Sequence, residues 1–207
     1  MFMKLHDSIG PNPRLVRMFI AEKGLDIPRV TVDLMRGENR QDAYKAKNPT
    51  GQTPCLELDD GSFLSETVVI CEYLEELYPK PALIGTSAAE RAQARLWTRR
   101  AEYQVTIPMA DGFRFAEGLQ LFKSRIHTIP QAADDLKAIA RKGLAWLDGE
   151  LAKRSYLCGE RYTLADILLF AFLEFGKTVG QAPDPKLQSL AAWYERVAAR
   201  PATQASK

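Results

Sequence analysis

The chain has 207 residues, 46% hydrophobic and 26% charged, with a net charge of +2 at neutral pH. That length accommodates two small domains, the composition belongs to a globular protein, and the near balance of charge makes no case for nucleic-acid binding. No apolar run approaches the roughly 18 residues needed to span a membrane.

Three dispersed cysteines form no disulfide framework, and two histidines, His6 and His127, leave little for a metal site. With no basic segment leading into an apolar stretch, the expectation is a cytoplasmic protein without metal. Residues 1–80 carry 10 basic and 13 acidic side chains and residues 81–207 carry 18 and 13, a mild split that reads as two differently composed surfaces.

"FMKLH" and "RVTVDL" alternate with period two and read as strands. Between them "PRLVRMFIAEKG" puts Leu15, Val16, Phe19 and Ile20 on one helical face and stops at Gly24. This βαβ unit predicts parallel first strands with a right-handed crossover. A polar stretch with room for one short helix follows, then "CLEL-DDG-SFLS", a hairpin around an Asp-Gly turn, then the helix "ETVVICEYLEELYP". From Ser87 the period changes to helical throughout. Ser87 and Glu90 read as a capping box, and Pro108 as a kink or stop in the helix they open. "PQAADDLKAIARKGLAWLDGELAKR" is a second long helix and "TLADILLFAFLEF" a buried central one. In "DPKLQSLAAWYERVAAR", Asp184 reads as N-cap, Pro185 as first helical residue and Pro201 as the stop. The expected organisation is a first domain over 1–79, a linker over 80–87 and an all-helical domain over 88–207.

"NPTGQTPCLEL", Asn48 to Leu58, is the most informative segment. A proline at the mouth of a strand cannot donate to the sheet ladder. A cis Thr53–Pro54 bond would turn the Thr53 backbone outward, free to pair with an extended peptide. Further on, Ser65, Glu66 and Thr67 stand where a strand gives way to a helix, whose free amides attract a carboxylate. Ser65 or Thr67 equally fits as a cap of that helix.

With "PNPRLVRMFIAEKG", "SETVVICEYLEELYP" and "GERYTLADILLF", these features resemble the cytosolic glutathione transferase superfamily over nearly the whole chain. The resemblance implies an α+β thioredoxin-like domain of order β-α-β-α-β-β-α followed by an all-α domain. It makes Thr163 and Asp166 a capping box, with Tyr162 packing on Ile167, and so gives Asp166 a structural role. It implies a glutathione site in which Gln52 and the Thr53 backbone hold the cysteinyl part, Pro54 is the cis-proline, Glu66 and Thr67 hold the γ-glutamyl end, and Arg40 faces the glycyl carboxylate. It places a second-substrate pocket at Tyr103, Ile107, Met109 and Phe113, and it implies a homodimer acting on a small-molecule electrophile.

Glutathione reacts as its thiolate, and a free thiol with pKa about 8.5 is only a few per cent ionised at pH 7. Lowering that pKa by two units requires about 2.7 kcal/mol. One charge-assisted hydrogen bond supplies about 1.5–3 kcal/mol and a helix amino end about 0.3–1, so a single donor at the helix suffices. In the zeta and omega classes the reactive Ser or Cys lies seven residues before the second arginine of the helix-start motif. Counting back from Arg17 reaches Gly10, which has no side chain. Two donors remain near it, Asn12 and Ser8, with Asn12 ranked first. Asn12 also fits as the helix N-cap, and Ser8 as an ordinary loop serine. No cysteine stands in this loop, which argues against a mixed-disulfide mechanism, and Gly10-Pro11-Asn12 replaces the Ser-Ser-Cys run of the zeta isomerase. The expected function is thiol activation for attack on an apolar electrophile or a peroxide. The alternatives are glutathione-dependent disulfide reduction or a non-catalytic binding or stress-regulatory role on the same fold.

Overall fold

The computed structural model describes residues 3–206; Phe2, counted in the first expected strand, lies outside the described residues. The chain divides into two compact units, one holding residues up to Thr86 together with those from Ala199 onward, the other Ser87–Ala198.

The first unit contains β1 (Lys4–Asp7), α1 (Pro11–Glu22), β2 (Arg29–Thr31), α2 (Asp42–Lys45), β3 (Cys55–Glu57), β4 (Phe63–Leu64) and α3 (Thr67–Leu77), the expected order. The sheet runs β2-β1-β3-β4. Strands β1 and β2 are parallel, while β3 runs antiparallel to both β1 and β4. Helix α1 forms because Leu15, Val16, Met18, Phe19 and Ile20 bury one face, each contributing about 1.5–3 kcal/mol. It stops in a Schellman turn: Leu25 N–H donates to the Ile20 carbonyl at 3.1 Å, Gly24 N–H donates to Ala21 at 3.0 Å, and Gly24 takes φ +63°. Strand β2 is shorter than expected because Asp33 closes a turn, accepting from Arg36 N–H at 3.0 Å.

The linker is fastened to this unit. The buried Lys23 ammonium donates to the Tyr78 and Pro81 carbonyls at 2.8 and 2.6 Å and pairs with Glu75, which accepts from Leu83 and Ile84 N–H, each at 2.9 Å. Residues from Ala199 onward fall with the first unit, although the sequence places 88–207 in one helical domain. The reason is a short helix α10 (Pro201–Ala205) tied to α1 by an Arg200–Glu22 fork at 2.6 and 2.7 Å. Pro201 therefore opens a helix as well as following one, as its fixed φ and missing N–H allow.

The second unit contains α4 (Ala88–Ala101), α5 (Ile107–Arg114), α6 (Leu119–Phe122), α7 (Ala133–Leu151), α8 (Leu164–Thr178) and α9 (Gln188–Ala198). Ser87 caps α4, its hydroxyl accepting from Glu90 N–H at 3.2 Å. Pro108 neither ends the helix nor breaks it sharply. A π-helical stretch, Glu102–Thr106, widens the turn ahead of it and leads into α5. Helix α8 is buried over Leu164–Leu173, and its Thr163–Asp166 capping box is formed. Asp166 also accepts from Leu157 N–H and from the Trp193 indole, both at 2.9 Å. Burial pushes its carboxyl up while these donors pull it down. Helix α9 begins at Gln188, later than expected. Asp184 caps only a turn, accepting from Lys186 N–H, and the amino end of α9 is capped from α7, where Asp148 accepts from Leu190 N–H at 2.8 Å.

Candidate functional site

Three loops of the first unit converge at one end of the sheet. The carboxyl end of β1, the amino end of β3 and the carboxyl end of β4 lie together, because His6 pairs with Cys55 and Leu56 with Leu64 in antiparallel register. These ends carry Ser8–Asn12, Gln52–Pro54 and Ser65–Thr67, so the topology groups the residues that the motifs singled out.

At the first loop, Gly10 occupies the N-cap of α1 with φ +108°, a region that L side chains rarely enter. A side chain at this position, which lies seven residues before Arg17, would be strained in that backbone. Asn12 is not the cap; it is the second residue of the helix. Pro11 and Pro13 have no N–H, and the first bond is Arg14 N–H to the Gly10 carbonyl at 3.3 Å. The Asn12 N–H is therefore the one uncommitted amide among the first three helical residues, and the half-buried Asn12 side chain makes no hydrogen bond among the described residues. Ser8 is differently placed. Its hydroxyl donates to the Val32 carbonyl at 2.6 Å and its carbonyl accepts from Arg17 at 3.1 Å.

At the second loop the Thr53–Pro54 bond is cis. Pro54 is buried, Gln52 is exposed, and neither the N–H nor the C=O of Thr53 is bonded among the described residues. The carbonyls just before it are clamped. Gln52 C=O accepts from the Tyr44 hydroxyl at 2.7 Å and Asn48 Nδ2 at 2.8 Å, and Gly51 C=O accepts from Asn39 Nδ2 at 2.6 Å. Sequence reasoning missed Tyr44 and Asn39 as braces; the Asn-Pro-Thr-Gly turn was the available sign for Asn48, whose Oδ1 accepts from Thr50 N–H and Oγ1. Gly51 is required, with φ +63° and space for a Cβ only 2.8 Å from the Asn39 carbonyl oxygen. Arg40 reaches the same loop, its Nη1 donating to Thr50 C=O at 3.2 Å.

At the third loop Glu66 is the N-cap of α3, exposed, with φ +69° and ψ +115°. Among the described residues it alone has a positive φ without being glycine. Such a conformation costs about 1–3 kcal/mol and collects at functional sites. Thr67 is the first residue of α3 and is half-buried.

Behind these loops, His6 Nε2 meets Glu57 at 2.9 Å and Lys4 lies 3.6 Å from it. The His6 hydrogen bond, with Lys4 beside it, holds the Glu57 carboxyl below its ordinary value. Burial pushes the Cys55 thiol up to about 11 and Cys71 well above the ordinary thiol value, which fits both as inert core residues. Among the described residues no group of three or more His, Cys, Asp or Glu side chains converges, and no helix is long and apolar enough to cross a membrane.

The expected second-substrate residues all lie in the second unit, on the π-helical stretch and α5. Tyr103 is 61% exposed beneath the Arg99 guanidinium, 4.2 Å from its ring centroid, and Ile107 is exposed. Phe113 is half-buried, edge-on to Phe122 and Phe175. Met109 is in the interior, 1% exposed, with its carbonyl accepting from Gln181 at 3.0 Å.

A mixed four-stranded sheet with a cis-proline just ahead of its interior strand β3, carried on the same chain as a helical unit, defines a thioredoxin-like domain joined to an all-α one. The family model for the glutathione S-transferase N-terminal domain matches residues 9–77, and that for the C-terminal domain matches 113–201. Glutathione S-transferase 2 of Saccharomyces cerevisiae is 31% identical over 202 residues, covering 94% of this chain and 84% of that protein. Maleylacetoacetate isomerase of Pseudomonas aeruginosa is 34% identical over 191 residues, covering 90% and 86%. The crystal structure of a glutathione S-transferase domain-containing protein from Marinobacter aquaeolei VT8 superposes with TM-score 0.91 at 36% identity, covering 97% of this chain and 99% of that one. The chain belongs to the glutathione S-transferase family.

Proposed function

We propose that this protein is a glutathione transferase whose thiol-activating group is Asn12. The observation that carries the reading is the pair of uncommitted donors on Asn12, its backbone N–H and its side-chain amide, at the positive end of α1. Glutathione would lie along the open Thr53 backbone, its γ-glutamyl amine near Glu66 and its carboxylate at the amino end of α3 beside Thr67. Gln52 and Arg40 flank the remaining length of the tripeptide. The sulfur anion would then attack an apolar electrophile or a peroxide. Ser8 is the weaker donor because its only proton is engaged by Val32.

The reading includes a homodimer, as the family implies; exposed Val69 and Leu77 on α3 supply apolar surface for one. It also includes a cytoplasmic setting, in keeping with three unpaired cysteines. The side chain missing at Gly10 favours one rival, a non-catalytic protein that retains the glutathione site. An isomerase of the maleylacetoacetate kind is disfavoured by Gly10-Pro11-Asn12 in place of its Ser-Ser-Cys run.

Ultraviolet titration of the thiolate in bound glutathione tests the proposal. A bound thiol pKa well below that of free glutathione supports it. Binding without any such shift supports the non-catalytic rival instead.

A further inference from the structure

We infer that Arg17, gripping the segment from Arg200 to Ser206, is the positioning residue that fixes the thiol-binding loop Ser8–Asn12; this rests on the glutathione-transferase reading above. Arg17 lies in α1 with its side chain 14% exposed. Its Nη1 donates to Asp7 Oδ1 at 2.8 Å and to the Ser8 carbonyl at 3.1 Å, and its Nε donates to the Ser206 carbonyl at 3.0 Å. One planar guanidinium thus joins the end of β1, the start of the loop and a residue 189 positions away. A lysine ammonium at that place cannot reproduce the fork.

The loop needs such an anchor. Ile9 is 65% exposed, and nothing lies within 4 Å of where a Gly10 Cβ would be, so neither residue is held by packing. Pro11 and Pro13 stiffen the helical side of the loop. Among the described residues the strand side is held at Ser8, by Val32 and Arg17. Arg17 is itself held in place from the far side by α10. That short helix runs as a strap along α1, fastened at one end by the Arg200–Glu22 fork and at the other by Arg17 on Ser206, with Thr203 and Ser206 buried beneath it. The position of the loop is thereby set by a segment outside it.

The test uses the full chain with Arg17→Lys and, separately, Arg200→Gln, which loosens the strap without touching the loop. Three quantities are read: the pKa of bound glutathione thiol by ultraviolet titration, the KM for glutathione against the KM for a chloronitrobenzene electrophile, and the melting temperature. Arg17→Lys is expected to raise the thiol pKa by about half to one unit, which, starting from a wild-type value lowered to roughly 6.5, cuts thiolate at pH 7 about one-and-a-half- to threefold. The activity lost is recovered at higher pH, the electrophile KM is unchanged, and Arg200→Gln shifts the thiol pKa in the same direction by less. Folded variants that melt lower yet titrate like the wild type would overturn the inference, leaving Arg17 and the strap a purely structural role. If the wild type itself binds no glutathione, the transferase reading fails first, which is a separate outcome.

Discussion

The Ser8 hydroxyl donates to the Val32 carbonyl at 2.6 Å, across 24 residues. A serine proton spent on the backbone just past β2 is not available to a thiolate. The sequence left Ser8 and Asn12 as rival donors, and our proposal of Asn12 leans on this bond. Ser8→Ala should cost about 0.5–1.5 kcal/mol of stability through the lost bond and leave kcat/KM within a fewfold of the wild-type value, since Arg17 still holds the Ser8 carbonyl. Asn12→Ala should leave stability nearly intact and lower kcat/KM about ten- to a hundredfold, the worth of one hydrogen bond to a charged group. Steady-state kinetics and urea denaturation on both variants check the pair.

Asp166 completes a buried capping box, and its removal should be felt in folding. Its carboxylate accepts from Leu157 N–H, Thr163 N–H and the Trp193 indole, all in the buried interior of the helical unit. Asp166→Ala leaves those donors unsatisfied and should cost about 3–5 kcal/mol. The denaturation midpoint should fall sharply, while glutathione affinity of the folded fraction, measured by calorimetry, stays unchanged.

Glu57 gives the first unit an acid-dependent component. Its folded pKa lies below the unfolded value of about 4.3, chiefly through the His6 hydrogen bond. A carboxylate depressed on folding adds stability that is present above its unfolded pKa and is lost as pH falls through its folded one. Denaturation midpoints measured from pH 6 down to pH 3 should therefore decline less steeply in Glu57→Gln than in the wild type.

Gly143 should reverse the usual rule for glycine in a helix. Replacing an interior helical glycine by alanine ordinarily gains up to about 1 kcal/mol. Here a Cβ would stand 2.2 Å from the Gln104 carbonyl oxygen, where the π-helical stretch presses on α7. Gly143→Ala should destabilise by about 1–3 kcal/mol, the cost of overpacking, and thermal melting reads it directly.

What the sequence made legible was whatever is written locally. The β-α-β-α-β-β-α order, the Gly24 stop, the Thr163–Asp166 box and the cis Thr53–Pro54 bond each follow from neighbouring residues. What it hid depends on partners far along the chain. Asp184 and Pro185 look like a helix start, yet α9 begins at Gln188 because Asp148, 42 residues before Leu190, supplies the cap. Pro201 looks like a terminator, yet the segment after it folds back onto α1 through Arg200 and Glu22. The site divides in the same way. Gln52, Thr53, Pro54, Glu66 and Thr67 stand in short motifs, and their loops meet at one end of the sheet. The braces Tyr44 and Asn39, the commitment of Ser8 and the positive φ of Glu66 emerge only when strands and loops are in place.

The central claim, that Asn12 at the mouth of α1 ionises the glutathione thiol, is tested most directly by titrating the thiolate absorbance of bound glutathione in wild type, Asn12→Ala and Ser8→Ala. The account predicts a depressed pKa in the wild type and in Ser8→Ala, returning toward that of free glutathione in Asn12→Ala. A depressed pKa that survives in Asn12→Ala, or that vanishes in Ser8→Ala, would contradict it.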